Sequence, residues 1–244
     1  ARAGIVARRH YDLGNDLFFS FLDPYNQYSC GYFLGTDDLA EAQRKKLELI
    51  CRKLALKRGD HILDIGCGWG GFARYAAEHY GCSVTAVNIS EKQVQYAREY
   101  CENLPVTILQ EDYRAVRGIF DKIVSIGMFE HVGWKNYRAF MEVVHHCLKE
   151  NGIFLLQTIG GNASSKNCDP WIKRYIFPNG VLPSIAQISK AAEDLFSVED
   201  IHNLAPHYYK TLLLWNERFQ GAWSRLAEKY EQVVKRMWEY YLLS

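Results

Sequence analysis

The sequence predicts an α/β fold, a doubly wound parallel sheet with a helical lid ahead of it and helical segments behind it. Three observations lead there. Between His61 and Thr158, apolar runs of strand length (HILDIG, SVTAVN, VTILQ, FDKIVSI, GIFLLQT) alternate with segments of helical period (GGFARYAAEHY, SEKQVQYAREYCENL, NYRAFMEVVHHCLK). Parallel strands joined by crossover helices require that order. The first strand runs straight into a glycine-rich turn, LDIGCGWGG, and 244 residues at 48% hydrophobic and 14% aromatic content suffice for one full core. Ligands of such sheets bind beyond the carboxyl ends of the strands, where the strand order reverses. The loops after DIG, VN, Gln110 and GM are therefore where a site belongs.

Taken in order, residues 1–58 combine an aromatic-rich stretch, HYDLGNDLFFSFLDPYNQYSCGYF, with the helical LAEAQRKKLELICRKLAL, and read as an N-terminal lid. Residues 59–160 form the ligand-binding α/β core. Residues 161–244 open on a Gly/Asn/Ser/Lys-rich stretch and WIKRYIFPNGVLPSIAQISKAAED, where prolines and a glycine interrupt any long helix. LFSVEDIHNL then reads as a strand, and YYKTLLLWNERFQGAWSRLAEKYEQVVKRMWEYYLL as one long amphipathic helix in which Trp215, Phe219 and Trp223 recur at packing spacing. The whole is expected to be a single domain.

Composition excludes several classes. With 29 Lys+Arg against 28 Asp+Glu the net charge is +1, too small a field to gather nucleic acid. No run approaches the ~20 apolar residues of a membrane span, and the start resembles no signal peptide, so a cytoplasmic location is expected. Seven cysteines without a C-x-x-C pair argue for reduced thiols and against a structural zinc site. His145 and His146 lack a metal-ligand partner spacing and are read as structural; no metal is expected. The chain opens on Ala and is treated as a fragment.

Gly66, Gly68 and Gly70, with Asp64 at the strand end, form a turn whose backbone can approach a ligand closely. A dinucleotide fingerprint would end G-x-x-G and carry an acid about 20 residues on; here the second strand ends in neutral Asn88. The pattern fits an S-adenosylmethionine loop better. Glu130, after the apolar strand of SIGMFEH, belongs at the carboxyl edge of the sheet. His131 is a rival base, ranked second because it points elsewhere if Glu130 faces the site. Cys30 alone would be a small core residue, and Tyr208 an aromatic at a helix start made ambiguous by Tyr209.

In order, HYDLGNDLF, QYSCGYF, LDIGCGWGG, QEDYR, SIGMFEHVG, GIFLLQTIG and WIKRYIFPNGVLPS resemble the cyclopropane fatty acid synthase family over nearly the whole chain. The resemblance implies a Rossmann-like class I methyltransferase sheet and an S-adenosylmethionine-dependent synthase of cyclopropane rings on unsaturated acyl chains of membrane phospholipids. It places the cofactor on Tyr28, Ser29, Asp64, Gly66, Gly68, Asn88, Ile89, Gln93, Asp112 and Tyr113. It implies a bicarbonate base held by Cys30, Glu130, Tyr208 and the Ile159 backbone, with Gln157 where the family has His. Gln157 can donate a hydrogen bond to an anion but carries no charge, so weaker anion binding is expected. The runner-up reaction stops after methyl transfer, giving a methyl-branched acyl product, or methylates an amine. Tyr28, Phe33, Phe129, Tyr175 and Phe177 fall in the shared motifs as candidates for an acyl channel, and Lys173 and Arg174 as a basic membrane-facing patch, hence peripheral membrane association. A homodimer is the assembly considered. The resemblance also implies a further N-terminal domain ahead of HYDLGND and a further strand after the last helix, neither expected within these 244 residues.

Overall fold

A computed structural model describes residues 14–244; His10 to Leu13 of the first shared motif, and the start of the expected lid, lie outside the described residues. Five strands, β1 (His61–Ile65), β2 (Ser83–Asn88), β3 (Val106–Gln110), β4 (Phe120–Ile126) and β5 (Leu148–Gln157), form one parallel sheet in the order β3-β2-β1-β4-β5. All pairings are parallel, with Ile62 opposite both Val84 and Lys122, and Asp64 opposite Ala86 and Val124. The chain leaves β1 on one side and returns on the other, so the reversal of strand order falls between β1 and β4, where their carboxyl ends open a crevice.

Successive side chains of a strand face opposite sides, and β1 buries both. Ile62 joins a core with Leu47, Ile50, Ala73, Ala76, Val94 and Ala97 from helices α2 (Leu39–Lys53), α3 (Gly71–Tyr80) and α4 (Glu91–Tyr100). Leu63 and Ile65 join the opposite core with Phe140, Met141 and Val144 of α5 (Tyr137–Cys147). The helices start where the sequence supplies caps: Asp38 accepts from the Glu41 N–H at 2.7 Å and Ser90 from Gln93 at 3.4 Å. Gly81, left-handed at φ 66°, ends α3.

A third, aromatic core lies outside the sheet. Leu17 and Phe18 of α1 (Asn15–Phe19), with Phe21 and Trp69, meet Trp215, Phe219 and Trp238 from the carboxyl-terminal helices. These are α8 (Ala205–Leu226) and α9 (Gln232–Leu243), following the short α6 (Pro170–Tyr175) and α7 (Ile185–Ala192).

Two sequence expectations are corrected. Leu195–Leu204 is not a strand. Val198 and Ile201 are 62% and 64% exposed, and the segment is tied instead by single side chains, Phe196 against Phe154 and His145, and Asp200 to Lys53. A strand needs a neighbour for its backbone groups, and none of the described residues provides one. The long terminal helix is two helices. The break at 227–231 carries no proline or glycine; Lys229 and Tyr230 turn to bind the Asp16 carboxylate at 2.9 Å each. The turn brings Trp238 back to within 5.5 Å of the Phe18 ring.

Candidate active site

A cavity opens over the carboxyl ends of β1, β2 and β4, and the structure brings all ten sequence-predicted cofactor residues into its lining: Tyr28 and Ser29, Asp64, Gly66 and Gly68, Asn88, Ile89 and Gln93, Asp112 and Tyr113. The glycine turn is built by backbone geometry. Gly66 and Cys67 both donate to the Val87 carbonyl, at 2.9 and 3.2 Å. Gly66 has φ 84°, and a Cβ there would lie 2.5 Å from Met128 Cγ, so the turn admits no side chain. Gly68, also left-handed at φ 55°, faces open space.

Asn88 braces this turn. Its amide donates to the Gly68 carbonyl at 3.1 Å and to Gln93 Oε1 at 2.9 Å, and its Oδ1 accepts from the Ser90 N–H at 3.2 Å. Asp112 caps the single turn Tyr113–Ala115, and its bidentate pair with Arg114 holds its carboxyl below the usual range. Tyr113 sets its ring edge-on to Phe140 at 5.2 Å.

From the other side the cavity is closed by the strap Asp23–Cys30. Asp23 accepts from Tyr25 N at 2.8 Å and Gln27 N at 2.7 Å. The strap crosses the start of α3 so closely that a Cβ on Gly71 would overlap the Tyr25 carbonyl and the Gln27 amide. Underneath, Gln43 donates to the Ser29 carbonyl at 2.8 Å, and the fully buried Lys46 donates to Gln27 Oε1 and, at 3.0 Å, to Ser29 Oγ. Burial pulls Lys46 down to about 8 and pushes Asp64 up to about 7, each opposed by the other's charge.

The five expected catalytic residues are placed less uniformly. Glu130 sits on the turn Phe129–His131 after β4, where its Oε1 accepts from Ile159 N at 2.7 Å. Its Oε2 is buried without a hydrogen-bond partner, and burial raises its carboxyl. Tyr208 reaches the cavity through a phenol chain: Tyr241, half-buried and pushed up to about 12 by desolvation, shares hydrogen bonds with Tyr208 and, at 3.0 Å, with Tyr28. Cys30 donates to the Leu204 carbonyl at 3.5 Å, and burial raises its thiol to about 11. Gln157 ends β5 opposite Ile126, its Oε1 also buried without a partner. The expectation that His131 points away from the site is corrected: it lines the cavity, 5.5 Å from the Phe177 ring, with burial lowering its imidazole to about 4, whereas Glu130 lies outside that lining.

Residues 2–244 match the family model for mycolic acid cyclopropane synthetase. The chain belongs to this family. Within it, the chain is 54% identical to the cyclopropane-fatty-acyl-phospholipid synthase of Escherichia coli K12 over 99% of its own length, and spans 63% of that relative. Among solved structures of the family, the mycolic acid cyclopropane synthase CmaA1 complexed with SAH and CTAB superposes with a TM-score of 0.93 at 34% identity, covering 100% of this chain and 92% of that one. The cyclopropane synthase MmaA2 of Mycobacterium tuberculosis gives 0.93 at 31% identity, with the same coverage. The fold is that of the family, the class I methyltransferase sheet, as the motifs led one to expect. Sequence reasoning passed over Lys46, Gln27, Gln43 and Tyr241. Only the apolar spacing of α2, which puts Lys46 one residue before buried Leu47, hinted that this lysine is internal.

Proposed function

We propose that the chain is the catalytic part of an S-adenosylmethionine-dependent cyclopropane-fatty-acyl-phospholipid synthase, with residues 1–58 as lid, 59–160 as cofactor core and 161–244 as acyl-binding part. The observation that carries the reading is the cavity itself, in which two features fit the cofactor. Gly68 leaves open space where a ligand can meet backbone, and Asp64 Oδ2 is buried with no hydrogen-bond partner. When bound, S-adenosylmethionine supplies an electrophilic methyl group.

The chain's own residues bind, orient and shield. Asn88 holds Gln93 and the glycine turn in register. Tyr28 joins cofactor and acyl sides, since its ring lies 6.4 Å from Phe177 and its hydroxyl leads to Tyr241 and Tyr208. Such aromatic faces stabilise the cation that an alkene becomes on accepting a methyl group. Glu130 is locked by Ile159, and Val181 N donates to the Glu130 carbonyl at 2.9 Å, so both acyl-side loops are anchored on one residue. Glu130 Oε2 and Gln157 Oε1 are buried acceptors without a partner, and one of them would be satisfied by the single hydroxyl proton of a bicarbonate. Held by Cys30, Glu130, Gln157, Tyr208 and the Ile159 backbone, it would supply the base. Lipid access would come through peripheral docking on anionic membrane, and a homodimer is the proposed assembly.

Gln157, uncharged where the family carries His, favours one second reading, a methyl-branched acyl product. Incubation with S-adenosylmethionine and unsaturated phospholipid vesicles, with and without bicarbonate, followed by fragmentation of the acyl chains, decides. A bicarbonate-dependent gain of one CH2 as a ring is expected; a branched product would favour the second reading, and no acyl product would reject both.

A further inference from the structure

Five polar residues are buried where the strap meets the sheet: Asp23 and Gln27 of the strap itself, Gln43 and Lys46 of α2 beneath it, and Asp64 on β1, none more than 7% exposed. Burying a lysine completely is costly unless its charge and its N–H groups are answered. Here they are answered by the cavity wall. Two of the three ammonium protons go to Gln27 and Ser29, both in the cavity lining. The charge faces Asp23 and Cys30 on the strap and Asp64 at the end of β1.

We propose that Lys46 is a positioning residue for the cofactor: it clamps the strap through Gln27 and Ser29, and favours the ionised form of Asp64 by placing a cation behind it. The inference rests on reading the cavity as the S-adenosylmethionine site. It separates Lys46 from an ordinary core residue, because a core residue fixes shape alone, whereas Lys46 also fixes the protonation of a cavity carboxylate. Lys46 lowers the Asp64 pKa against the desolvation that raises it to about 7. Without that cation the carboxyl stays protonated further up the pH scale.

The test is isothermal titration of S-adenosylmethionine into the native protein and Lys46→Met, from pH 6 to 9. Methionine preserves the volume and apolar stem and removes the charge. The expected result is cofactor affinity about tenfold weaker at pH 7, with the rise in affinity that follows Asp64 ionisation moved up by about one pH unit or more. A purely structural lysine would lower affinity at every pH and leave the profile in place, which would overturn the proposal, as would native affinity with an unshifted profile. If Lys46→Met does not fold, Gln27→Met gives the parallel measurement. It keeps the cation, so weaker binding with the native profile supports the clamp, and unchanged binding overturns it. Native protein that binds no S-adenosylmethionine overturns the reading of the cavity, and the proposal falls with it; native binding with an unaltered variant overturns the Lys46 proposal alone.

Discussion

Asp64 is almost fully buried and titrates near 7 instead of the usual carboxylate range. Because the folded value lies above the unfolded one, its contribution favours the folded state below about pH 4 and is lost as pH rises through 7. Asp64→Asn is therefore expected to gain thermal stability relative to native protein between pH 5 and pH 8, while cofactor affinity falls; melting curves across that range check the sign. Glu130→Gln keeps the shape that receives Ile159 N but removes the carboxylate. Turnover is expected to fall about a hundredfold or more, with S-adenosylmethionine affinity changed less than threefold, measured by product mass against titration. At this scale the glycine turn and Glu130 were legible, since each stands in a local string that dictates its place. Gly71 and Lys46 were not: the first is required by a strap some 45 residues earlier in sequence, the second by partners on another segment, and neither contact leaves a local pattern.

Between elements, the carboxyl-terminal hairpin and the amino-terminal segment stabilise each other. Trp238, fully buried, packs against Phe18, Phe21 and Phe219 with ring centroids 5.5, 5.6 and 6.3 Å away. Trp238→Ala is expected to cost about 3–5 kcal/mol in urea unfolding, and to weaken cofactor binding because Phe18 also supports Trp69 at 5.0 Å in the cavity wall. The strands and crossover helices were read from period alone, because β1, β2 and β4 supply buried apolar side chains and the helices one apolar stripe each. The turn at 227–231 escaped notice because the carboxylate its Lys229 and Tyr230 bind, Asp16, lies more than two hundred residues away in sequence. Leu195–Leu204 has strand-like alternation, yet tertiary contacts decide its path. β5 shows the same dependence on surroundings: residues 152–157 are all half-buried, as suits one of the two edge strands among the described residues.

For the molecule as a whole, no helix among the described residues is long and apolar enough to cross a membrane; the proposed reading has the acyl substrate met at a surface. Lys173 and Arg174 on α6 stand beside half-exposed Tyr175, with Leu182 and Ile185 exposed by 43% and 58% further along. Cosedimentation with anionic vesicles at low salt is expected, weakened by salt and reduced about tenfold or more in Lys173→Glu/Arg174→Glu, at roughly 1 kcal/mol per basic residue; binding that ignores salt and these residues would reject this surface. The architecture was legible because one periodic pattern spans the sheet, whereas the strap and the aromatic core depend on the two ends of the chain meeting. That meeting also makes the protein its own optical reporter. Trp69 lies in the cavity wall, and Trp215 stands 5.2 Å from Tyr28, which lines the same cavity. A ligand that settles against Tyr28 perturbs indole rings already excluded from water, so occupancy of the cavity registers as a change in intrinsic tryptophan emission without any added label.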